Sequence, residues 1–229
     1  MMVIGRIDNV LGDEIGFIEL RDYMGSDESI VYRARECYQS HERSSKEADK
    51  RLLHKLVGDK PLHGTTMRNV VFTFGVLAPQ FVVRQWTRHI IGHDSFGNDV
   101  WYTGPDSFDV SGAYDEQSFR YTDKIQFYTP PNMDSNQLDA WVSMCNGQRQ
   151  DYEYLRHFGF AKQLARCALG PAVYSQFETT MNLQGFFDWY SKRRPGGGAQ
   201  AETVAYAVAA MQLVSGIVPM AVEAWESAQ

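Results

Sequence analysis

Alternating and helically spaced apolar residues divide the first ninety residues into strands and helices. Residues 16–22 alternate like a strand, and a serine N-cap opens a helix over 26–35. A second helix is predicted over 46–57, because its alanine and leucines fall on one helical face and a glycine follows them. Residues 70–77 are β-branched and aromatic, which predicts a buried strand, and a proline is expected to open the helix over 79–89.

The second half of the chain is predicted to contain more helices than strands. Two consecutive helices are expected over 135–169, with a break near Gly159, and a strand over 172–180. A helix over 182–192 follows, and beyond a glycine-rich link an alanine-rich segment predicts one C-terminal helix. Neither a repeat nor a low-complexity boundary divides the chain, so the pattern predicts a single α+β domain over 1–229.

An irregular insert separates these two halves. Glycine, aspartate, serine and asparagine dominate residues 92–113, and regular alternation returns at Tyr114. Connections of this length without secondary structure are uncommon in compact domains and are usually functional or mobile. The insert is therefore predicted to be a long loop.

Composition and charge narrow the classes of function. A net charge of −6 over 229 residues argues against a nucleic-acid or anionic-membrane binder, because such proteins need a basic surface. A small phosphorylated ligand needs only a few local arginines and stays compatible with this charge. The three cysteines lack CxxC spacing, so free thiols in a reducing cytoplasm are expected. No secretion signal or membrane span is predicted, since every apolar run is shorter than about 18 residues.

A polar cluster lies on the otherwise apolar helix that follows the buried strand. It consists of Arg84, Gln85, Arg88 and His89. The last three share one helical face through their i, i+3 and i+4 spacing. Guanidinium and imidazole donors on one face suit a phosphate or pyrophosphate. The alternative interpretation is a solvated helix face with surface ion pairs.

A second polar cluster follows the insert. It contains Asp115, Glu116, Ser118, Arg120 and Tyr121. On an extended segment Ser118 and Arg120 point to the same side, where a hydroxyl and a guanidinium make another phosphate clamp. The alternative is an ordinary surface edge of mixed charge.

A histidine pair near the first cluster has the spacing of some zinc sites. His89 and His93 stand at i and i+4, and Asp94 follows them. A zinc hydrolase helix also carries a general-base glutamate after the first histidine, and Ile90 occupies that position. The helical pattern also stops at Gly92, so no metal site is predicted.

Taken together, the two clusters resemble the signature of the flavin-dependent thymidylate synthase family, Arg-His-Arg followed by seven variable residues and Ser. Residues 79–89 are similar to the segment that leads into this motif, and residues 114–121 match its Tyr-Asn-Glu-x-Ser-x-Arg-Tyr ending. Further similarity lies at 16–20, 24–25, 63–65 and 71–74 and near Arg166, Asn182 and Arg193. The resemblance spans nearly the whole chain in the family's order, which weakens both surface alternatives.

The resemblance implies a central, mostly antiparallel sheet flanked by helices, and a homotetramer with active sites shared between subunits. It implies FAD as cofactor, NADPH and methylenetetrahydrofolate as co-substrates, and a uridine monophosphate as substrate. The residues that it assigns to the nucleotide are Gln85, Arg88, Glu116, Ser118, Phe119, Arg120, Arg166 and Arg193. Those assigned to the flavin are His63, Thr65, Arg88, His89, Ile91 and Asn182, with Gln184 and Asp188 at further flavin positions.

Two of these residues are candidates for a catalytic role. By resemblance, Arg193 lies beside the pyrimidine, where it would stabilise the negative charge that develops on uracil during methylation at C5. Ser118 is interpreted as a phosphate or base ligand and not as a nucleophile, because no histidine base lies next to it in the sequence. The redox chemistry belongs to the flavin.

The chain departs from the family pattern at cofactor and nucleotide positions. Ile90 replaces the second arginine of the motif, and 27 residues instead of seven separate it from Ser118. The other replaced positions are Arg68, which stands for an acidic residue, Asp115, Phe119, Gln184, Asp188 and Gly198, which stands for a histidine.

Two hypotheses about activity follow from these departures. In the first, the chain is an enzyme that methylates dUMP or UMP, and a preference for UMP would align it with the uridylate C5-methylases of nucleoside-antibiotic pathways of the polyoxin type. In the second, it is a catalytically inactive nucleotide-binding or structural protein. The retained polar residues favour the first, because an inactive chain has no reason to keep so many of them.

Overall fold

An antiparallel sheet organises the fold. The computed structural model describes residues 3–58, 64–87, 91–93, 99–101, 112–116 and 124–229. Its strands are β1 (Gly5–Asp8), β2 (Phe17–Met24), β3 (Val71–Pro79), β4 (Ile91–His93), β5 (Asp99–Trp101), β6 (Gly112–Glu116) and β7 (Tyr174–Asn182). Five of them pair in the order β1-β2-β3-β7-β6, every neighbour antiparallel.

Helices flank this sheet. They are α1 (Asp27–Cys37), α2 (Lys46–Gly58), α3 (Gly64–Met67), α4 (Gln80–Thr87), α5 (Ser135–His157), α6 (Lys162–Ala165), α7 (Leu183–Ser191), α8 (Ala201–Ser215) and α9 (Pro219–Ser227). Short 3₁₀ turns occur at His41–Arg43 and Arg166–Ala168. The predicted α+β class and the antiparallel sheet flanked by helices are confirmed.

The two faces of the sheet differ because successive strand residues point to opposite sides. Phe72, Phe74 and Phe177 are fully buried, and their rings contact aromatic residues of α4 and α7. Thr73 and Thr180 point the other way, are half-buried, and join their hydroxyls by a 2.9 Å hydrogen bond. Helices therefore cover one face, and the other face is polar.

Ion pairs hold this polar sheet face, which we define by Arg6, Glu19, Arg21 and Glu178. Arg21 donates from Nε to Glu19 Oε1 at 2.8 Å and from Nη1 to Glu178 Oε2 at 2.7 Å. Arg6 donates to the second oxygen of Glu19 at 2.6 Å. The absent side chain of Gly75 makes room, since a Cβ there would lie 2.2 Å from Arg21 Nε.

Helix α7 carries the aromatic residues that pack on the sheet. Asn182 caps its N-terminus, where Oδ1 accepts the Gly185 N–H at 2.9 Å. The helix buries Phe186, Phe187 and Trp189, and each aromatic side chain contributes about 1.5–3 kcal/mol by burial. This packing fixes the end of α7 and thereby the chain segment that follows it.

One boundary of the predicted helix over 79–89 is wrong. Pro79 closes β3, opposite Tyr174 of β7, and α4 begins at Gln80. Proline has no N–H to donate to the hydrogen-bond ladder of a sheet. It is tolerated at the end of a strand because the ladder stops there. The Gln80 N–H donates to the Val173 carbonyl at 2.9 Å, which ties the start of α4 to the strand beside it.

The insert contains more regular structure than predicted. Within 92–113, His93 ends β4, which pairs with β5, and Gly112 already begins β6. The sequence did not predict these short strands, because the composition of the segment is typical of turns and a strand of three residues shows almost no alternation.

The C-terminal helices also differ from the prediction. The single alanine-rich helix is two, because the chain breaks at 216–218 and Pro219 begins α9. The predicted break near Gly159 is confirmed, with φ of 83° at that glycine. The second helix of the pair is shorter than expected, since α6 ends at Ala165 and a 3₁₀ turn follows.

Candidate functional site

The predicted site residues fall into two sets with respect to the structure. His63, Arg88, His89, Ser118, Phe119 and Arg120 lie outside the described residues, and Ile91 is described by its backbone alone. The structure describes Thr65, Gln85, Glu116, Arg166, Asn182, Gln184, Asp188 and Arg193.

Gln85 and Arg193 lie in direct contact. Arg193 follows α7, and its Nη2 donates to the Gln85 carbonyl oxygen at 2.9 Å. The Gln85 side chain is held from α8, because Thr203 Oγ1 donates to its Oε1 at 3.1 Å and its Nε2 donates to Gln200 Oε1. We call these four residues the Arg193 site. Helices α4, α7 and α8 thus converge on two residues assigned to the nucleotide.

The Arg193 guanidinium has unused donor capacity. Its Nε is buried and has no hydrogen-bond partner, and no carboxylate within the described ranges pairs with it. Burial lowers the pKa of this guanidinium, yet an arginine stays charged at neutral pH. A half-buried cation with a free donor suits an electron-rich or anionic ligand. The residues present therefore fit a nucleotide.

Glu116 is the last residue of β6. Its Oε1 accepts the Ser175 hydroxyl at 2.6 Å and also the Gln80 amide. These bonds join the edge strand to the start of β7 and the first residue of α4. Arg166 is exposed in the 3₁₀ turn, next to Ala165, which is buried in a small cluster with Ile125, Tyr152 and Val173.

The residues assigned to the flavin gather where α3 meets the start of α7. Thr65 is exposed on α3, and Asn182 caps α7. Gln184 is buried against Gly64, where an added Cβ would lie 2.1 Å from its Oε1. Asp188 stands four residues further along α7, on the same helical face as Gln184. Hydroxyl and amide groups gathered in this way fit the polar edge of a flavin.

Glu116 and the predicted flavin residues lie apart within the described part of one chain. Ser175, which holds Glu116, and Asn182 are seven residues apart on β7, which is roughly 23 Å at about 3.3 Å per residue. Glu116 pairs with Phe177 near the middle of β7 and its side chain reaches towards the start of that strand, whereas Asn182 ends β7 and Gln184 follows it in α7.

Sequence reasoning missed three residues of these groups. Gln200 and Thr203 lie at the start of an alanine-rich segment that gave no sign of a polar site. Their i, i+3 spacing places them on one helical face. Arg68 was noticed as a departure from the family pattern and given no role. Its Nε donates to Gln184 Oε1 at 2.9 Å, a contact between residues distant in sequence.

Metal-binding clusters and membrane-spanning helices are absent from the described residues. In the described part of the chain, no group of three or more histidine, cysteine, aspartate or glutamate residues is arranged to hold a metal ion. No described helix combines the length and the apolarity needed to cross a bilayer.

Comparison with known proteins identifies the family. Residues 19–220 match the family described as "Thymidylate synthase complementing protein". The flavin-dependent thymidylate synthase of Thermotoga neapolitana is 31% identical over 219 residues, which cover 92% of this chain and 90% of the relative. This chain belongs to the flavin-dependent thymidylate synthase family. The resemblance read from the two sequence clusters is thereby confirmed, and with it the expectation that the chain is an enzyme.

Other members and one solved structure support the same assignment. The flavin-dependent thymidylate synthase of Thermosipho africanus is 30% identical over 213 residues, 84% of this chain and 83% of the relative. The crystal structure of the UMP/dUMP methylase PolB from Streptomyces cacaoi, bound with 5-Br dUMP, matches with a TM-score of 0.73. It covers 93% of this chain and 95% of PolB at 21% identity, a likeness that shows the fold.

Proposed function

We propose that the chain methylates C5 of a uridine monophosphate, dUMP, UMP or both. In the overall change, methylenetetrahydrofolate gives its one-carbon unit, the C5 hydrogen of uracil leaves as a proton, and a hydride completes the methyl group. FAD, when bound and reduced, supplies this hydride, and NADPH reduces the flavin again. Family membership supports this reaction, and the observation that carries it is the Arg193 guanidinium beside Gln85, which has no ion-pair partner among the described residues.

Arg193 is the residue that we assign to the pyrimidine. Negative charge builds up on the uracil carbonyl oxygens when C5 becomes nucleophilic, and a fixed guanidinium stabilises that charge. The Gln85 carbonyl holds the guanidinium in place at 2.9 Å, and Thr203 holds the Gln85 side chain. Positioning before the reaction starts is what makes such a charge effective.

The other assignments come from the resemblance. Arg88, Glu116, Ser118, Phe119, Arg120 and Arg166 would bind the nucleotide with Gln85 and Arg193. His63, Thr65, Arg88, His89, Ile91, Asn182, Gln184 and Asp188 would bind FAD. The contact of α3 with α7 supports the second set, because it gathers Thr65, Asn182 and Gln184 in one place.

We further propose a homotetramer with active sites shared between subunits. The separation of roughly 23 Å along β7 between Ser175, which holds Glu116, and Asn182 supports this arrangement, because it keeps Glu116 of the nucleotide set away from Asn182 of the flavin set. A second copy would bring residues of the other set closer. The three cysteines are free thiols, which suits a cytoplasmic location. A role in nucleoside-antibiotic biosynthesis is proposed only for an enzyme that prefers UMP.

A spectrum followed by an assay tests the function. The purified protein should show flavin absorbance, or acquire it on addition of FAD, and should then convert dUMP or UMP to the C5-methylated product with NADPH and methylenetetrahydrofolate. Parallel assays of the two nucleotides decide the preference. A protein that binds no FAD but is thermally stabilised by UMP would contradict the proposal and indicate an inactive nucleotide-binding protein.

A further inference from the structure

Arg68 presents a guanidinium beside the residues assigned to the flavin. It directly follows α3 and is exposed, while its Nε donates to Gln184 Oε1 at 2.9 Å. Gln184 is only 8% exposed and is seated against Gly64, so the acceptor for this bond has a fixed position. The contact therefore orients the Arg68 guanidinium towards one side of the α3–α7 junction.

The outer nitrogens of this guanidinium are available to a ligand. No carboxylate among the described residues forms an ion pair with Arg68. Its hydrogen bond to Gln184 uses Nε and leaves the two Nη groups, whose fork geometry matches phosphate oxygens. Thr65, Asn182 and Gln184 are uncharged and Asp188 is acidic, so Arg68 is the cation that contacts this group within the described part of the chain.

The charge of FAD indicates which part of it this cation would bind. The isoalloxazine ring is neutral when oxidised, and the negative charge of FAD resides on its pyrophosphate. We propose that Arg68 binds the pyrophosphate of FAD and that Gln184 positions it. This assignment rests on the proposed function and adds to it a binding residue that the family pattern does not supply at this position.

Measurement of FAD affinity by flavin fluorescence tests the assignment without any assay of turnover. Arg68→Ala should raise the Kd for FAD about tenfold, as expected for one partly exposed charge-assisted contact. Arg68→Lys should lose less affinity for FAD than Arg68→Ala. Arg68→Glu should lose more, because its carboxylate repels the pyrophosphate. The Kd of Arg68→Ala should also respond less to added salt than that of the wild type.

Two comparisons separate binding of the phosphate from mere packing. Arg43→Ala removes another exposed arginine, in the 3₁₀ turn at His41–Arg43, and should leave the Kd for FAD unchanged. A structural role for Arg68 would instead give similar losses for Ala and Glu, with the salt dependence of the wild type.

Each outcome bears on a different claim. Equal FAD affinity of the wild type, Arg68→Ala and Arg68→Glu would overturn the Arg68 assignment and leave the proposed function standing. Similar losses with unchanged salt dependence would overturn it as well. A wild-type protein that binds no FAD would overturn the proposed function, and the Arg68 assignment with it.

Discussion

Two partly buried arginines show how the surroundings of a cation reveal its role. On the polar sheet face, burial works to lower the pKa of Arg21, but the hydrogen bonds and charges of Glu178 and Glu19 outweigh it and raise the pKa. In the Arg193 site, burial lowers the pKa of the guanidinium and no described carboxylate opposes it. Arg21 has its partners within the fold, whereas Arg193 has a buried donor without a partner.

This difference indicates that Arg21 contributes to stability, and it supports the proposal that Arg193 binds a ligand. A half-buried charge without a counter-charge costs free energy, so a fold keeps one where something else gains from it. The polar sheet face has its counter-charges within the fold, and we propose that a bound nucleotide completes the Arg193 site. Substitutions in both regions can separate these two roles.

The largest expected effect is that of Arg193→Ala on catalysis. We expect kcat/KM to fall by at least about 10²-fold, because a fixed group that stabilises transition-state charge is lost. FAD should stay bound, and thermal stability should be unchanged or higher, since the variant removes an uncompensated cation. Turnover assays combined with thermal unfolding measure both. Unchanged turnover would show that the pyrimidine lies elsewhere.

Arg21→Ala should give the opposite result. We expect a loss of about 2 kcal/mol in the free energy of unfolding, because Glu19 keeps a buried carboxylate with one cation fewer. Turnover per folded molecule should be unchanged. Denaturant unfolding measures the loss, and the double variant Arg21→Met with Glu19→Gln should recover part of it. A large fall in turnover at full folding would place the polar sheet face in the catalytic machinery.

A matched pair of threonine variants sharpens the comparison. Thr203→Val removes the hydroxyl that donates to Gln85, and we expect nucleotide affinity to weaken about threefold to tenfold, since one hydrogen bond is lost. Thr73→Val removes the bond to Thr180 on the polar sheet face and should leave that affinity unchanged. Titration calorimetry with dUMP and UMP measures both. Equal losses of nucleotide affinity in the two variants would mean that the loss does not depend on the contact between Thr203 and Gln85.

The smallest expected effect concerns another paired arginine. Burial works to raise the pKa of the Asp49 carboxyl, but hydrogen bonds from Ser44 and Arg35 and the charge of Arg35 lower it. The pKa of Asp49 in the folded protein is thus below its value of about 3.9 in the unfolded chain. The pair therefore stabilises the fold fully above about pH 3.9, and this stabilisation is lost as the pH falls through the folded-state pKa.

Asp49→Asn should therefore cost about 1 kcal/mol near neutral pH, because the partly exposed Asp49 loses its charge while the amide oxygen still accepts a hydrogen bond from the buried Arg35. The difference from the wild type should shrink below about pH 4. Chemical unfolding at several pH values measures it. A stability difference that grows as the pH falls would contradict the lowered pKa of Asp49 in the folded protein.

Local signals predicted the elements with strong periodicity or clear caps. Asn182 before an aromatic helix marked the start of α7 correctly, and the glycine at 159 marked a break. The C-terminal break failed because alanine-rich sequence continues on both sides of 216–218, although Pro219 was a usable signal. Strand β1 has four residues, and only its pairing with β2 reveals it.

The site was less predictable than the fold. Gln85 was predicted from the polar cluster and Arg193 from the family resemblance, and their hydrogen bond spans 108 positions in sequence. Thr203 and Arg68 acquire meaning only through tertiary contacts with Gln85 and Gln184, which no local pattern encodes. Residues that act through such contacts need a structure to be found.

Glu116 is held by Ser175 near the start of β7 and Gln184 follows the end of that strand, a separation with a genetic consequence for an enzyme with shared sites. A chain defective at Glu116 and another defective at Gln184 would each be inactive alone, yet their mixed assembly would contain some intact sites. Co-expression of the two should restore partial activity by complementation. For the same reason, dilution that separates the subunits should abolish activity while each chain stays folded.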